Sequence, residues 1–300
     1  MKLLVVVAGP TAIGKTAFAI TLAQHFQTVI LSADSRQIFK EMSIGTAKPD
    51  ATQLSAVTHY FINHISIHEP YNAGQYEAEA IELLNKLFSE KDIVILCGGS
   101  GLYIDAVCNG FDEVPKADET TRKYLSALYE KEGIKALQQL LAEKDIAYYK
   151  IVDKNNPQRI MRALEVCLTT GKPYSSFRKA TKKKRSFSLL KIALNTDREK
   201  LYQQINKRVD SMMLQGLEAE AKSLYAYKEN NALQTVGYEE LFKFFEGKTT
   251  KQGAVDLIKQ HTRNYAKRQL TWFRKDKNYL WLQANETNKA IALIEEQLKK

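Results

Sequence analysis

The run Gly9-Pro10-Thr11-Ala12-Ile13-Gly14-Lys15-Thr16 sits between a continuous apolar segment, Leu3 to Ala8, and a helical stretch from Lys15 to Phe26. It fits the pattern G-x-x-x-x-G-K-[ST] in the strand-to-helix context that this pattern requires. An apolar run with no polar alternation reads as a parallel strand buried on both faces, so a β-loop-α unit opens the chain. The chemistry follows from the turn. Glycines let backbone N–H groups face inward, the helix N-terminus adds partial positive charge, Lys15 neutralises phosphate oxygens, and the Thr16 hydroxyl is an oxygen donor for Mg²⁺. Residues 9 to 16 are therefore candidates for holding two adjacent phosphates.

Strand and helix patterns then alternate. Val29 to Leu31, Ile93 to Leu96, Leu189 to Leu194 and Tyr279 to Leu282 read as further strands, with an amphipathic helix around Gln75 to Phe88. The expectation is an α/β fold, a P-loop NTPase-like parallel sheet core of about five strands with right-handed connections. From Gly110 to about Ser186 the pattern changes to charged helical segments that close on a basic run, Arg178 to Arg185. The expected division is a core of residues 1–110 and 187–300 and a helical insert domain of residues 111–186.

Lys and Arg total 44 against 34 Asp and Glu, a formal charge of +10. That excess nominates a polyanionic partner such as nucleic acid, or serves solubility. The three cysteines, Cys97, Cys108 and Cys167, are odd in number and lack CxxC spacing, which suggests neither disulfides nor zinc and fits a reducing cytoplasm. The apolar start is too short for a signal peptide and flows into the glycine turn, and no run reaches the roughly 20 residues of a membrane span. No membrane association is expected.

An ATPase of this architecture places an Asp at the end of an apolar strand to help hold Mg²⁺. Here Ile93 to Leu96 ends in Cys97-Gly98-Gly99, which disfavours ATP hydrolysis and suits a diphosphate leaving group better. Asp34 follows the second strand, on the end of the sheet that faces the phosphate turn, and is a candidate base; an Asx turn or helix N-cap is the competing role. Ser100, in Gly98-Gly99-Ser100-Gly101-Leu102-Tyr103, offers a hydroxyl to a reacting group or caps the next helix.

The ordered blocks Asp34-Ser35-Arg36-Gln37, Gly45-Thr46-Ala47-Lys48-Pro49, Gly98 to Tyr103, Arg159 to Glu165, Gly237-Tyr238-Glu239-Glu240 and Tyr265-Ala266-Lys267-Arg268-Gln269 join the phosphate turn in one resemblance. From end to end the chain resembles the tRNA dimethylallyltransferases, also called tRNA isopentenyltransferases. The resemblance implies transfer of a dimethylallyl group from dimethylallyl diphosphate to the exocyclic amine of the adenosine 3′-adjacent to the anticodon. It makes Asp34 the general base, with Ser100 beside it, and gives Arg208 to the diphosphate together with Gly9, Pro10, Thr11, Ala12, Ile13, Gly14, Lys15 and Thr16. Two positions depart from the usual pattern: Ser100 stands where threonine is more common, keeping the hydroxyl, and His59-Tyr60 stands where paired histidines are expected.

The same resemblance places the anticodon stem-loop of tRNA between core and insert, with the target base flipped out of its stack. Its contacts fall on Asp34, Ser35, Arg36, Gln37, Ser100, Arg122, Gln158, Arg159, Ile160, Met161 and Arg162. Arg159 and Arg162, three positions apart, share one side of a helix and meet RNA or form surface salt bridges. Arg263, Lys267 and Arg274, with Tyr265 and Trp272 near, form either a second phosphate-facing stripe or an amphipathic terminal helix. Mg²⁺ is the expected cofactor and no obligate protein partner is expected. A small-molecule kinase using Asp34 on an acceptor hydroxyl, and a non-catalytic RNA-binding module, are the competing readings.

Overall fold

The structure, a computed structural model, describes residues 1–112, 114–115, 118–178 and 183–299, which fall into two compact units, Met1–Asn109 with Lys184–Lys300, and Gly110–Lys183. The basic run from Arg178 to Arg185 lies partly outside the described residues, at 179–182.

The first unit begins β1 (Leu3–Ala8), α1 (Lys15–His25), β2 (Ile30–Ser32), α2 (Ala51–Ala56), β3 (His59–Tyr60), α3 (Ala73–Glu90), β4 (Ile93–Gly98) and α4 (Gly101–Asn109). The chain then passes through the second unit, α5 (Glu119–Glu132), α6 (Ile134–Lys144), α7 (Ile146–Tyr149) and α8 (Pro157–Thr170). It returns with β5 (Ser188–Leu194), α9 (Arg198–Leu214), α10 (Leu217–Leu224), α11 (Tyr238–Phe245), α12 (Lys251–Phe273), β6 (Leu280–Leu282) and α13 (Thr287–Leu298).

The six strands form one sheet in the order β3-β2-β4-β1-β5-β6, and every pairing is parallel. The α/β class and parallel core are as expected, but there is one strand more than the anticipated five. The extra strand is β3, a two-residue edge strand whose His-Tyr sequence carries no apolar run to announce it. β1 shows why its sequence is uniformly apolar: Leu4, Val6 and Ala8 pack into one core cluster while Leu3, Val5 and Val7 pack into another, on alternate faces of the strand. Ala8 is in register with both Gly98 and Ala193, and Ser32 with Cys97, so four strands end level. Whatever follows them gathers at one edge, where ligands bind in open α/β sheets.

The second unit has its own apolar cluster, formed by Leu125 of α5, Leu137 and Leu141 of α6, Tyr148 and Val152, and Ile160, Ala163 and Leu164 of α8. Pro157 at the first turn of α8 and the Asn156 side chain, which accepts from the Arg159 amide, define where that helix begins. Among the described residues no helix is long and apolar enough to cross a membrane, and the three cysteines are free.

Candidate active site

At the carboxyl edge of the sheet the segment 9–16 turns sharply into α1. Gly14 adopts φ 97° and Ala12 φ 65°, so the turn holds one non-glycine residue in the sparsely populated left-handed region. Lys15 folds back so that Nζ donates to the Pro10 carbonyl at 2.8 Å. Burial pushes its pKa down to about 8; Cys97 and the Asp34 carboxylate raise it in part, and the Arg208 guanidinium lowers it further. Arg208, on α9, brings Nη1 within 3.4 Å of the Thr11 hydroxyl, so the cation assigned to diphosphate by resemblance stands at the phosphate turn and not on an exposed helical face.

Asp34 follows β2. Its Oδ1 accepts from the backbone amides of Arg36 (2.9 Å) and Gln37 (3.2 Å), the Asx-turn geometry that its sequence position allows. The turn does not exclude chemistry, because it employs one oxygen and aims the carboxylate into the same cavity as Lys15. Ser100 does not cap α4 with its side chain. Its Oγ accepts from the Ser35 amide at 2.9 Å and donates to the Ser35 hydroxyl at 3.1 Å, and it bonds Tyr265 as well. Burial raises the Tyr265 phenol to about 12, so it stays neutral beside Asp34.

Arg36 donates to the carbonyls of Asn231 (2.9 Å) and Gln234 (3.3 Å), and its desolvated guanidinium is held below its ordinary pKa. Gln37 donates to the carbonyls of Thr46 and Ala47, fixing the loop that closes the far wall. These groups share one cavity of about 1150 Å³, whose lining includes Thr11, Lys15, Thr16, Asp34, Arg208 and Tyr265. That is somewhat above the range for a small-molecule cleft, roughly 300–1,000 Å³.

Glu240 and Gln269 on the cavity wall, and Glu220 behind it, have roles that the sequence did not assign. Glu220 accepts from the amides of Ser43, Ile44 and Gly45 and from the Tyr238 hydroxyl, pinning the same far-wall loop. Glu240 accepts from the Gly237 amide and pairs with His261 Nδ1 at 2.5 Å. Gln269, buried in α12, accepts from the Thr11 amide at 2.8 Å and donates to the Gly99 carbonyl at 2.9 Å. It clips the phosphate turn to the loop after β4, and a Cβ on Gly99 would lie 2.3 Å from its Nε2.

In the helical unit Gln158 and Arg159 are exposed on α8, whereas Ile160 is fully buried in the unit's core. The Ile160 side chain is thus withdrawn from solvent, and Met161 packs partly against the same core. Arg122 and Arg162 both bond Glu165, at 2.9 Å and 3.3 Å. The stripe on α12 separates: Arg263 donates to Asn206, Lys267 and Arg274 are exposed, Tyr265 lines the cavity, and Trp272 donates to Asp105. Arg185, the end of the basic run, is not a solvated loop residue; it is nearly buried, donating to Glu77 and to the carbonyls of Ala106 and Val107. His59 bonds the Val57 carbonyl through Nδ1 and is held below its ordinary pKa by burial.

Residues 37–276 match the family model described as IPP transferase. The tRNA dimethylallyltransferase of Christiangramia forsetii is 52% identical over 288 residues, 96% of this chain and 95% of that protein. That of Flavobacterium johnsoniae is 50% identical over 306 aligned residues, 100% and 99% of the two chains. Among solved structures, the full-length tRNA isopentenylpyrophosphate transferase of Bacillus halodurans superposes with TM-score 0.74 at 32% identity, covering 100% and 97%. A eukaryotic dimethylallyltransferase acting on tRNA gives TM-score 0.83 at 26% identity, covering 100% of this chain and 80% of the other. A phosphate turn without a strand-end carboxylate, joined to relatives of this identity and coverage, places the chain in the IPP transferase family.

Proposed function

We propose that this protein transfers the dimethylallyl group of dimethylallyl diphosphate to the exocyclic amine of the adenosine 3′-adjacent to the anticodon of tRNA, releasing diphosphate. The observation that carries the reading is the shared cavity that presents Lys15 and Arg208 to a leaving group and Asp34 to an incoming amine. In the reaction the amine lone pair forms the new C–N bond as the C–O bond to diphosphate breaks, and the bonding electrons leave with diphosphate. The amine proton passes to Asp34, whose Oδ1 remains anchored in its turn. General-base assistance of this kind contributes ~10²–10⁴-fold. Lys15, which exchanges the Pro10 carbonyl for phosphate oxygens, Arg208 and the amides of residues 9–16 meet the charge growing on the departing group.

Mg²⁺ fits the donor set. Thr16 lines the cavity, and its hydroxyl is a hard oxygen donor of the kind that would hold Mg²⁺ beside the phosphates. When bound there it neutralises leaving-group charge. The arginines of the helical unit, Arg122, Arg159 and Arg162, with Gln158, hold the RNA, and a tRNA substrate is met in the cytoplasm. The decisive experiment incubates the protein with Mg²⁺, labelled dimethylallyl diphosphate and unmodified tRNA. Label in the adenosine beside the anticodon is expected; no label in RNA, with hydrolysis of ATP in a parallel incubation that supplies it, would instead point to a nucleotide-using enzyme.

A further inference from the structure

Glu165 is a glutamate with almost no access to water: its side chain is 5% exposed, inside the helical unit, yet both cations that touch it reach solvent. Arg122 of α5 is 71% exposed and bonds Oε1 through Nε; Arg162 of α8 is 42% exposed and bonds Oε2 through Nη1. Each oxygen of one buried carboxylate therefore fixes one guanidinium, and the two cations come from different helices. Arg162 is held a second time, by the Pro115 carbonyl at 3.3 Å from Nη2. Arg122 uses Nε, the inner donor, so its terminal nitrogens are the donors an external anion meets.

The geometry assigns Glu165 as a positioning residue that fixes the spacing and orientation of Arg122 and Arg162 for the phosphates of the RNA substrate, an inference that rests on the tRNA reading above. A long cationic side chain loses rotamer freedom when it binds phosphate; one already bound at its base has lost much of that freedom beforehand. A buried carboxylate held by cations is no more stabilising than an apolar residue of similar volume, so packing alone gives a poor reason for this arrangement. Planar two-point recognition of phosphate requires Arg at such a position, since a Lys ammonium cannot hold Glu165 and present a second donor face in the same way.

The test is a steady-state comparison of Glu165→Gln, Arg122→Ala, Arg122→Lys, Arg122→Ala/Arg162→Ala and the triple variant. Glu165→Gln is expected to raise the KM for tRNA about 10-fold, as for loss of a charge-assisted contact, with kcat and the KM for dimethylallyl diphosphate unchanged. Arg122→Lys keeps the charge and is expected to behave like Arg122→Ala, which decides the matter if Glu165→Gln fails to fold: a lysine variant with the tRNA KM of the unaltered protein overturns the inference. In the Arg122→Ala/Arg162→Ala background Glu165→Gln should add nothing. An equal penalty in that background shows that Glu165 acts through the fold, and overturns the inference. A neutral Glu165→Gln beside a damaging Arg122→Ala also overturns it while sparing the tRNA reading; unchanged tRNA KM in both arginine variants removes the tRNA role of these residues and the inference with it.

Discussion

Asp34 divides its carboxylate between structure and chemistry, and the two roles separate by substitution. Asn at position 34 still offers Oδ1 to the amides of Arg36 and Gln37, so Asp34→Asn preserves the turn and removes the base. The expected result is a kcat lower by ~10²-fold or more with tRNA affinity nearly unchanged; lost binding with normal turnover contradicts the assignment. Lys15 supplies a pH signature. Its pKa in the free protein is about 8, below the ordinary lysine value, so the ammonium that attracts diphosphate disappears as pH rises through 8. kcat/KM for dimethylallyl diphosphate should fall above pH 8, while kcat, reporting the anion-bound state in which the lysine is restored, holds to higher pH. The sign for stability is the reverse: between pH 8 and the unfolded-state value the unfolded chain binds more protons, so this residue's contribution favours folding more as pH rises. Both residues were legible in the sequence, Lys15 from a spaced motif and Asp34 from its place after a strand. Arg208 was named only through the family resemblance, because it reaches Thr11 across 197 positions of chain, which no local pattern records.

The elements that hold the site were legible in proportion to their length. β1, β4 and β5 are apolar runs and showed themselves; β3 is two residues long and did not. On α12 the buried residues include Ala266, Gln269 and Phe273, so a polar amide interrupts an otherwise apolar stripe. That interruption was the signal for Gln269, readable only once the stripe was known to face the core. Gln269→Leu removes both the acceptor for Thr11 and the donor for Gly99, and is expected to weaken diphosphate binding about 10-fold, measured by titration calorimetry, with tRNA binding retained. Arg185 was hidden for another reason, since nothing in a run of basic residues marks its last member as a nearly buried cation. Arg185→Met leaves Glu77 without this partner in a poorly hydrated setting and should cost about 3–5 kcal/mol in urea denaturation. A loss under about 1 kcal/mol is the outcome that contradicts a structural role.

At the level of the whole molecule, the formal charge of +10 states an appetite for polyanions but not its location. Salt reads it directly: tRNA affinity should drop by at least about 10-fold between roughly 50 and 200 mM salt if several phosphates are neutralised, and a flat response excludes that mode. The α/β class was legible because β-α alternation and one motif restrict the topology to few choices; strand order was not, since it depends on which distant segments pair. The clip between Thr11 and Gln269 spans 258 positions, and β1, made first, acquires its neighbour β5 only after the helical unit has been synthesised. On the ribosome, the anion cradle thus begins as an unfinished turn and is clipped only once α12 has emerged. A chain still short of α12 lacks the Thr11–Gln269 bond, so its grip on the prenyl donor is looser and full affinity arrives late in synthesis.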